Sequence, residues 1–374
     1  MVAQREEFVR LATGGGVPIA ELCRRFEISR KTGYKWLERF REGGREALDD
    51  RSRRPHRSPR QTPEELVQVI LAQRHKHPRW GARKLRRLLL NQRLGEVPAA
   101  STVNDVLDRA GLLEANRASH PGPFQRFEDP QPNGTWQMDF KGPVELPAAT
   151  VYLLSILDDH SRFLISLQVC PDQRRETVQQ RLTTAFRQFG LPDRILIDNG
   201  SPWGYTTDHP YTELTAWLLR LGIGVTHGRP YHPQTQGKVE RLNGTIEAEM
   251  LLGAHFPDLA AFVHACDGFR DVYNTERPHC ALGLDTPLSH YCPSPRRFPE
   301  QLPPIVYGPD DEVRKVSRDG VITFRGRRFR SGKAFRGQPV AIRPTTADGQ
   351  FAIFFCNHHV ADIDIATSAH NEGA

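Results

Sequence analysis

Apolar positions recur at helical spacing in two groups near the start of the chain, and short β-rich runs follow. Residues 4–41 predict three short helices. The first is QREEFVRLA; in PIAELCRRF, Ile19, Leu22, Cys23 and Phe26 share one face. Ser29 is placed to cap the third, RKTGYKWLERF, with Trp36, Leu37 and Phe40 turned inward. Gly33 lies inside this helix, where it costs about 1 kcal/mol relative to Ala. The pattern repeats farther on. Thr62, Pro63 and Glu65 fit a capping box opening a helix at 63–76, with further helices at 81–91 and 101–111 and Ser101 as a candidate cap. Residues 49–61 are rich in Arg, Ser and Pro, with no aliphatic or aromatic side chain to bury, and read as a linker. Residues 113–134, rich in Pro and Gly, read as a second.

From residue 135 the period changes. Strands are expected at 135–142, 150–157 and 162–170, the last two joined by a tight DDHS turn. A helix at 174–189, a strand at 193–198, a helix at 211–221, a short strand GVTH and helices at 237–252 and 257–274 follow. A three-strand meander leading into alternating helix and strand predicts a mixed sheet covered on both faces, the order of a ribonuclease H-like fold. Beyond about 312, VRKVS, VITFRG, RRFRSG, PVAIRP and FAIFFC read as short strands, with Asp319-Gly320 as a hairpin turn. Together they predict a small SH3-like β-barrel. The fold class is therefore multidomain, α plus α/β plus β. Helix-turn-helix units span 1–48 and 62–112, linkers 49–61 and 113–134, a ribonuclease H-like core 135–295 and the small barrel 311–366.

Composition adds limits. A chain of 374 residues with 38% hydrophobic and 25% charged content suits several soluble domains. No run approaches a membrane span, and MVAQREEFVR lacks a signal-peptide core. Six cysteines without a CxxC pair read as reduced thiols, so a cytoplasmic setting is expected. Net charge is +7 but uneven: Lys and Arg outnumber Asp and Glu over 1–125 and 311–345 and are outnumbered over 126–310. Basic ends suit a polyanion, because cationic side chains release counterions from phosphate. A helix-turn-helix enters the major groove with its last helix, which assigns Arg30, Lys31, Tyr34 and Lys35 to DNA. Thr102 and Asn104 take that place in the second unit, with Arg83, Lys84, Arg86 and Arg87 as phosphate contacts. Arg53, Arg54, Arg57 and Arg60 either follow phosphates and the minor groove or belong to a merely flexible linker. In the tail, Arg325, Arg327, Arg328, Arg330, Lys333 and Arg336 form a further basic group that suits nucleic acid, with Arg327 and Arg328 assigned to DNA, or else serves a structural or oligomerisation role.

The acidic middle holds the candidate chemistry. Asp139 lies in a strand-like QMDF, Asp198 closes the β-like RILI before Asn-Gly, and Glu240 opens a helix in GKVERLNG. Two strand-borne aspartates and one helix-borne glutamate can converge on hard cations such as Mg²⁺ or Mn²⁺. Two such ions, about 4 Å apart, can clamp an in-line attack at phosphorus. Asp158 and Asp159 read as shaping the DDHS turn, and Glu247 as solvent-facing or an ion-pair partner. Asn274, Arg277 and His279 either meet DNA phosphate or tie the last helix to the core.

In TWQMDFKG, LLSILDDHSRF, LIDNGSPW, GRPYHPQTQGKVERLNGTI and YNTERPHCALGLDTP the chain resembles bacterial insertion-sequence transposases of the integrase-like DDE superfamily, which share a catalytic core with retroviral integrases. The resemblance covers nearly the whole chain. It implies that Asp139, Asp198 and Glu240 form the catalytic triad, holding two Mg²⁺ or Mn²⁺ ions. It assigns Tyr231 through Gly237 to a mobile loop, with His232, Gln234 and Gln236 touching the transferred DNA end and Lys238 a phosphate. It further implies double-stranded DNA partners (terminal inverted repeats and target DNA), a homo-oligomer that pairs two ends, a nucleoid-associated location and no membrane. The His-His-Cys-Cys module of retroviral integrases is missing, so no structural zinc is expected. The 41 residues between Asp198 and Glu240 exceed the family's usual spacing, and the surplus is assigned to a loop in SPWGYTTDHPYTEL. The expected reaction frees 3′-OH ends by cleavage and joins them to target DNA. A ribonuclease H-like nuclease that cuts without joining would not need the basic modules at both ends. A transposase-derived repressor would not need the three carboxylates.

Overall fold

A computed structural model describes residues 2–50, 62–93, 95–113, 128–198, 200, 202–204, 211–228 and 237–365. The chain divides into two compact units, with the boundary between Thr62 and Pro63. Arg53, Arg54, Arg57 and Arg60 of the expected linker lie outside the described residues, as do His232, Gln234 and Gln236.

The first unit contains α1 (Val2–Thr13), α2 (Ile19–Arg25) and α3 (Arg30–Gly43). The Ser29 hydroxyl accepts from the Thr32 amide at 3.1 Å and so caps α3. Phe8, Val9, Leu22, Cys23, Leu37 and Leu48 make the core. Gly33 has a positive reason to be there. A Cβ on it would stand 2.7 Å from Cys23 Sγ and 2.8 Å from Phe8 Cζ, so only glycine lets α3 lie this close to α1 and α2. Phe40, expected inward, is 36% exposed and sits at the rim.

The second unit opens with α4 (Glu64–Lys76), α5 (Ala82–Asn91) and α6 (Ala100–Arg109). They close around Ile70, Trp80, Leu85, Leu88, Val103 and Leu107. Two expected caps are corrected. Pro63 itself occupies the N-cap of α4, and α6 begins at Ala100 behind Ala99, leaving Ser101 inside the helix; neither start has a side-chain cap.

A five-stranded sheet follows, built from β1 (Thr135–Leu146), β2 (Ala149–Asp158), β3 (Leu164–Cys170), β4 (Arg194–Ile197) and β5 (Gly224–His227). Its order is β3-β2-β1-β4-β5. The first three strands are antiparallel, and β4 and β5 run parallel to β1. This is the mixed ribonuclease H-like sheet. Strand alternation splits its apolar residues between two layers. Trp136, Met138, Ile156 and Ile195 pack with α7 (Arg175–Phe189) and α8 (Glu213–Arg220). Leu153, Leu157 and Leu164 pack with α9 (Gly237–Ile246) and α10 (Leu259–Thr275). A π-helical turn, Glu247–Leu251, extends α9.

The tail is antiparallel β. It comprises β6 (Glu312–Lys315), β7 (Val321–Phe324), β8 (Arg327–Arg330), β9 (Pro339–Pro344), β10 (Gln350–Phe355) and β11 (His358–Asp364). Among the described residues the pairing gives a sheet β11-β10-β9-β6 and a separate hairpin β7-β8, and no ring of pairs closes them into a barrel. Phe335, Phe355, Val340 and Ile353 share a core with Ala216 and Leu219 of α8, so the tail is packed on the sheet unit. Among the described residues no helix is long and apolar enough to cross a membrane.

Candidate active site

The alternation of β1 decides which side chains meet. Trp136 and Met138 enter one core, so Gln137 and Asp139 face the layer that contains α9. Asp198 directly follows β4, the parallel neighbour of β1. Its Oδ1 accepts from the Gly200 amide at 3.0 Å and from Trp203 Nε1. Trp203 is buried and stacks on Phe140, the residue after Asp139, at 5.5 Å. Glu240 lies in the first turn of α9 and is exposed, whereas Asp139 and Asp198 are half-buried.

Asp139 lies within the field of the other two carboxylates. Burial pushes the Asp139 carboxyl up to about 6, the charge of Asp198 adds to this, and Glu240 contributes less. A backbone bond at Phe140 and the Asn243 amide work in the opposite direction. Hard carboxylate oxygens that repel one another in a partly dry pocket are a donor set suited to a divalent cation. Among the described residues no three His, Cys, Asp or Glu side chains already form a chelate, so holding an ion requires the carboxylates to close up.

Two polar tethers, neither identified from the sequence, attach α9 to the sheet. Asn243 Nδ2 donates to Asp139 Oδ2 at 2.8 Å, and Ser155 Oγ donates to Asn243 Oδ1 at 3.2 Å. Asn243 stands three residues after Glu240 on the same helix face, a spacing that could have identified it. The second tether joins Gln137 and Asp159 to Lys238 and Val239. Lys238 Nζ lies 2.6 Å from Asp159 Oδ2, so the expected phosphate contact is engaged within the protein; burial lowers its pKa. Asp158 shapes the DDHS turn, accepting from Ser161 N at 2.8 Å and Asn133 N at 2.7 Å.

The DNA-assigned residues divide. Arg30, Lys31, Tyr34 and Lys35 are all exposed on α3, and Asn104 is exposed and Thr102 half-buried on α6. Lys84 and Arg87 are turned against the sheet unit instead. Burial, then the Arg277 charge, brings Lys84 down to about 8, and Arg87 pairs with Asp285. In the tail, Arg328 is exposed and the Arg327 guanidinium donates to the Ile365 carbonyl. Glu247 pairs with Lys141 at 2.7 Å. The YNTERPH segment ties α10 inward. Asn274 makes two bonds to the Leu164 backbone, at 2.8 and 3.0 Å, Arg277 forks onto Glu249, and His279 is buried.

Comparison with known proteins gives matches along the chain. Residues 129–233 and 221–287 match two integrase core domain families. Residues 4–56 match a helix-turn-helix domain, 32–107 a homeodomain-like domain and 311–371 the C-terminal domain of IS481 family transposases. A provisionally named transposase of insertion sequence element IS5376 from Geobacillus stearothermophilus is 22% identical over 204 residues, covering 51% of this chain and 48% of that protein. An uncharacterized 39.2 kDa protein of insertion element IS476 from Xanthomonas euvesicatoria is 27% identical, covering 59% and 62%. The chain thus spans about half to three-fifths of the length of these two curated relatives. Among solved structures, the HTLV-2 integrase catalytic core domain in complex with magnesium overlaps 43% of this chain and 99% of its own, at 20% identity and a TM-score of 0.35.

Proposed function

We propose, for a chain that belongs to the insertion-sequence transposases of the integrase-like DDE superfamily, that it binds the ends of an insertion element, cleaves to free 3′-OH ends and joins them to target DNA. Asp139, Asp198 and Glu240 are the catalytic carboxylates of this reading. The observation that carries it is that half-buried Asp139, raised first by burial, is raised further by the charges of both Asp198 and Glu240. They would hold two Mg²⁺ or Mn²⁺ ions, which supply Lewis-acid stabilisation to the attacking and leaving oxygens at phosphorus. The protein's own part is positional. Asn243 orients Asp139 from α9, and Gly200 and Trp203 orient Asp198. The Phe140–Trp203 stack fixes the indole that donates to Asp198. No Ser, Tyr or Cys nucleophile is required.

The two matches to helix-turn-helix and homeodomain-like domains, together with the exposed basic face of α3, support recognition of double-stranded DNA. The domain limits drawn from the sequence, a closed barrel in the tail and a homo-oligomer that pairs two ends belong to the same reading. The test is a Mg²⁺- or Mn²⁺-dependent assay with labelled element ends and a target plasmid. Joined products support transposition, nicks alone indicate a nuclease, and binding without either indicates a repressor. Asp139→Asn, Asp198→Asn and Glu240→Gln are each expected to lower cleavage and joining by at least about 100-fold, with end binding kept. Strand transfer surviving in one of them would remove that residue from the triad.

A further inference from the structure

We infer that Gln137 is a positioning residue that fixes the start of α9, and with it Glu240, against the strand carrying Asp139; this rests on the role proposed above for those two carboxylates. Gln137 is only 2% exposed, and both ends of its amide are used. Its Nε2 donates to Asp159 Oδ1 at 2.7 Å, and its Oε1 accepts from the Val239 amide at 3.2 Å. Val239 is the third residue of α9, so its N–H is one of the four that a helix leaves without an internal acceptor. The side chain of Val239 is fully buried, and Gln137 gives that amide its partner.

Asp159 makes the attachment rigid. Its backbone amide donates to the Thr135 carbonyl at 2.9 Å, and its Oδ2 accepts from the Asp129 amide at 2.7 Å. The Lys238 ammonium lies 2.6 Å from Oδ2 and donates to the Asp159 carbonyl at 3.1 Å. The two residues immediately before Glu240 are therefore both held by one Gln137–Asp159 unit that belongs to the sheet. Gln137 and Asp139 project from the same face of one strand, two residues apart, a separation of about 7 Å. Asn243 supplies the other tether, directly to Asp139. Glu240 lies between the two attachments. With the Gln137 tether removed, the Val239 amide loses its acceptor and only the Lys238–Asp159 pair holds the start of α9, so Glu240 is set less firmly against the aspartates.

The test compares the full-length wild type with Gln137→Met, which keeps the volume and loses both bonds. It also uses Gln137→Glu, which sets a carboxylate against Asp159, and the pair Gln137→Glu/Asp159→Asn, which exchanges donor and acceptor. Gln137→Met and Gln137→Glu are expected to lose at least about 10-fold in cleavage rate and to need about 5-fold more Mn²⁺ for half-saturation, with DNA-end binding within about twofold. Amide exchange over 237–243 should quicken about 10-fold with the rest of the chain unchanged, and the paired variant should recover to within about threefold of wild type. Wild-type rate, Mn²⁺ requirement and exchange in Gln137→Met would overturn the assignment. Should Gln137→Met fail to fold, the paired variant decides, and absence of rescue over Gln137→Glu overturns it. A wild type without cleavage would sink the proposed function. The inference would then rest on calorimetric Mn²⁺ binding, where equal affinity in wild type and the variants overturns it and weaker binding in the variants supports it.

Discussion

Trp203 joins the strand of Asp139 to Asp198. Its ring stacks on Phe140 at an interplanar angle of 17°, and its Nε1 donates to the Asp198 carboxylate. Trp203→Phe keeps an aromatic ring on Phe140 and removes the donor, leaving Gly200 N as the support for Asp198 Oδ1. A hydrogen bond to a charged acceptor contributes about 1.5–3 kcal/mol, so the cleavage rate should fall roughly 10-fold or more with DNA-end binding unchanged. Single-turnover kinetics would measure this, and an unaltered rate would assign the orientation of Asp198 to Gly200 alone. LIDNGSPW points to the aspartate in the sequence. That the tryptophan five residues later returns to it depends on how the segment folds.

Glu249, in the π-helical turn that continues α9, joins three elements. Its carboxylate accepts from Trp80 Nε1 at 3.1 Å, between α4 and α5, and from Arg277 after α10 at 2.8 Å. Burial pushes the Glu249 pKa up, but Arg277, Trp80 and Lys84 outweigh it and the net shift is downward. The side chains of Arg277 and Glu249 are 10% and 15% exposed, so breaking the pair strands a charge. Glu249→Ala and Arg277→Ala should each destabilise the protein by about 3–5 kcal/mol in urea unfolding. Their double variant should cost less than the sum by at least about 1 kcal/mol. Additive losses would show that the two residues act separately. Lys84, read from the sequence as a phosphate contact, lies in the field of this junction, and Arg87, read likewise, pairs with Asp285 farther along the chain.

At the scale of the molecule, a buried histidine sets a dependence on acid. Burial, followed by the charges of Arg277 and Lys84, holds His279 down to about 3, and its Nε2 has no hydrogen-bond partner among the described residues. The unfolded chain takes up this proton near pH 6.5, whereas the folded one resists it until about 3. Stability from this group is therefore complete above pH 6.5 and is lost as pH falls toward 3, by roughly 1.4 kcal/mol per pH unit within that window. His77 and His227 are also shifted downward by burial and act in the same sense. His279→Leu should flatten the fall of Tm between pH 6.5 and 4, measured by calorimetry. A variant falling in parallel with wild type would exclude His279 as a source of the acid sensitivity.

Local spacing was sufficient for the helices of both N-terminal groups, the strand-to-helix order of the core and the short strands of the tail, because a period of 3.6 or 2 is written into consecutive residues. It also singled out Asp139, Asp198 and Glu240 as candidates, each set in a distinctive string. The caps of α4 and α6 were misread because many polar residues fit a cap locally and only the chain's path selects one. Gly33 looked like a weakness until Phe8 and Cys23 were placed against it. Gln137 gave no distinct signal, Asp159 read only as part of its turn and Asn243 offered only its spacing from Glu240, since a buried amide or carboxylate acquires its role from a partner tens of residues away. The sequence by itself determined which elements form and which acids are candidates. The tertiary structure alone decided what holds those acids in relation to one another, because that depends on pairings between segments that no local period encodes.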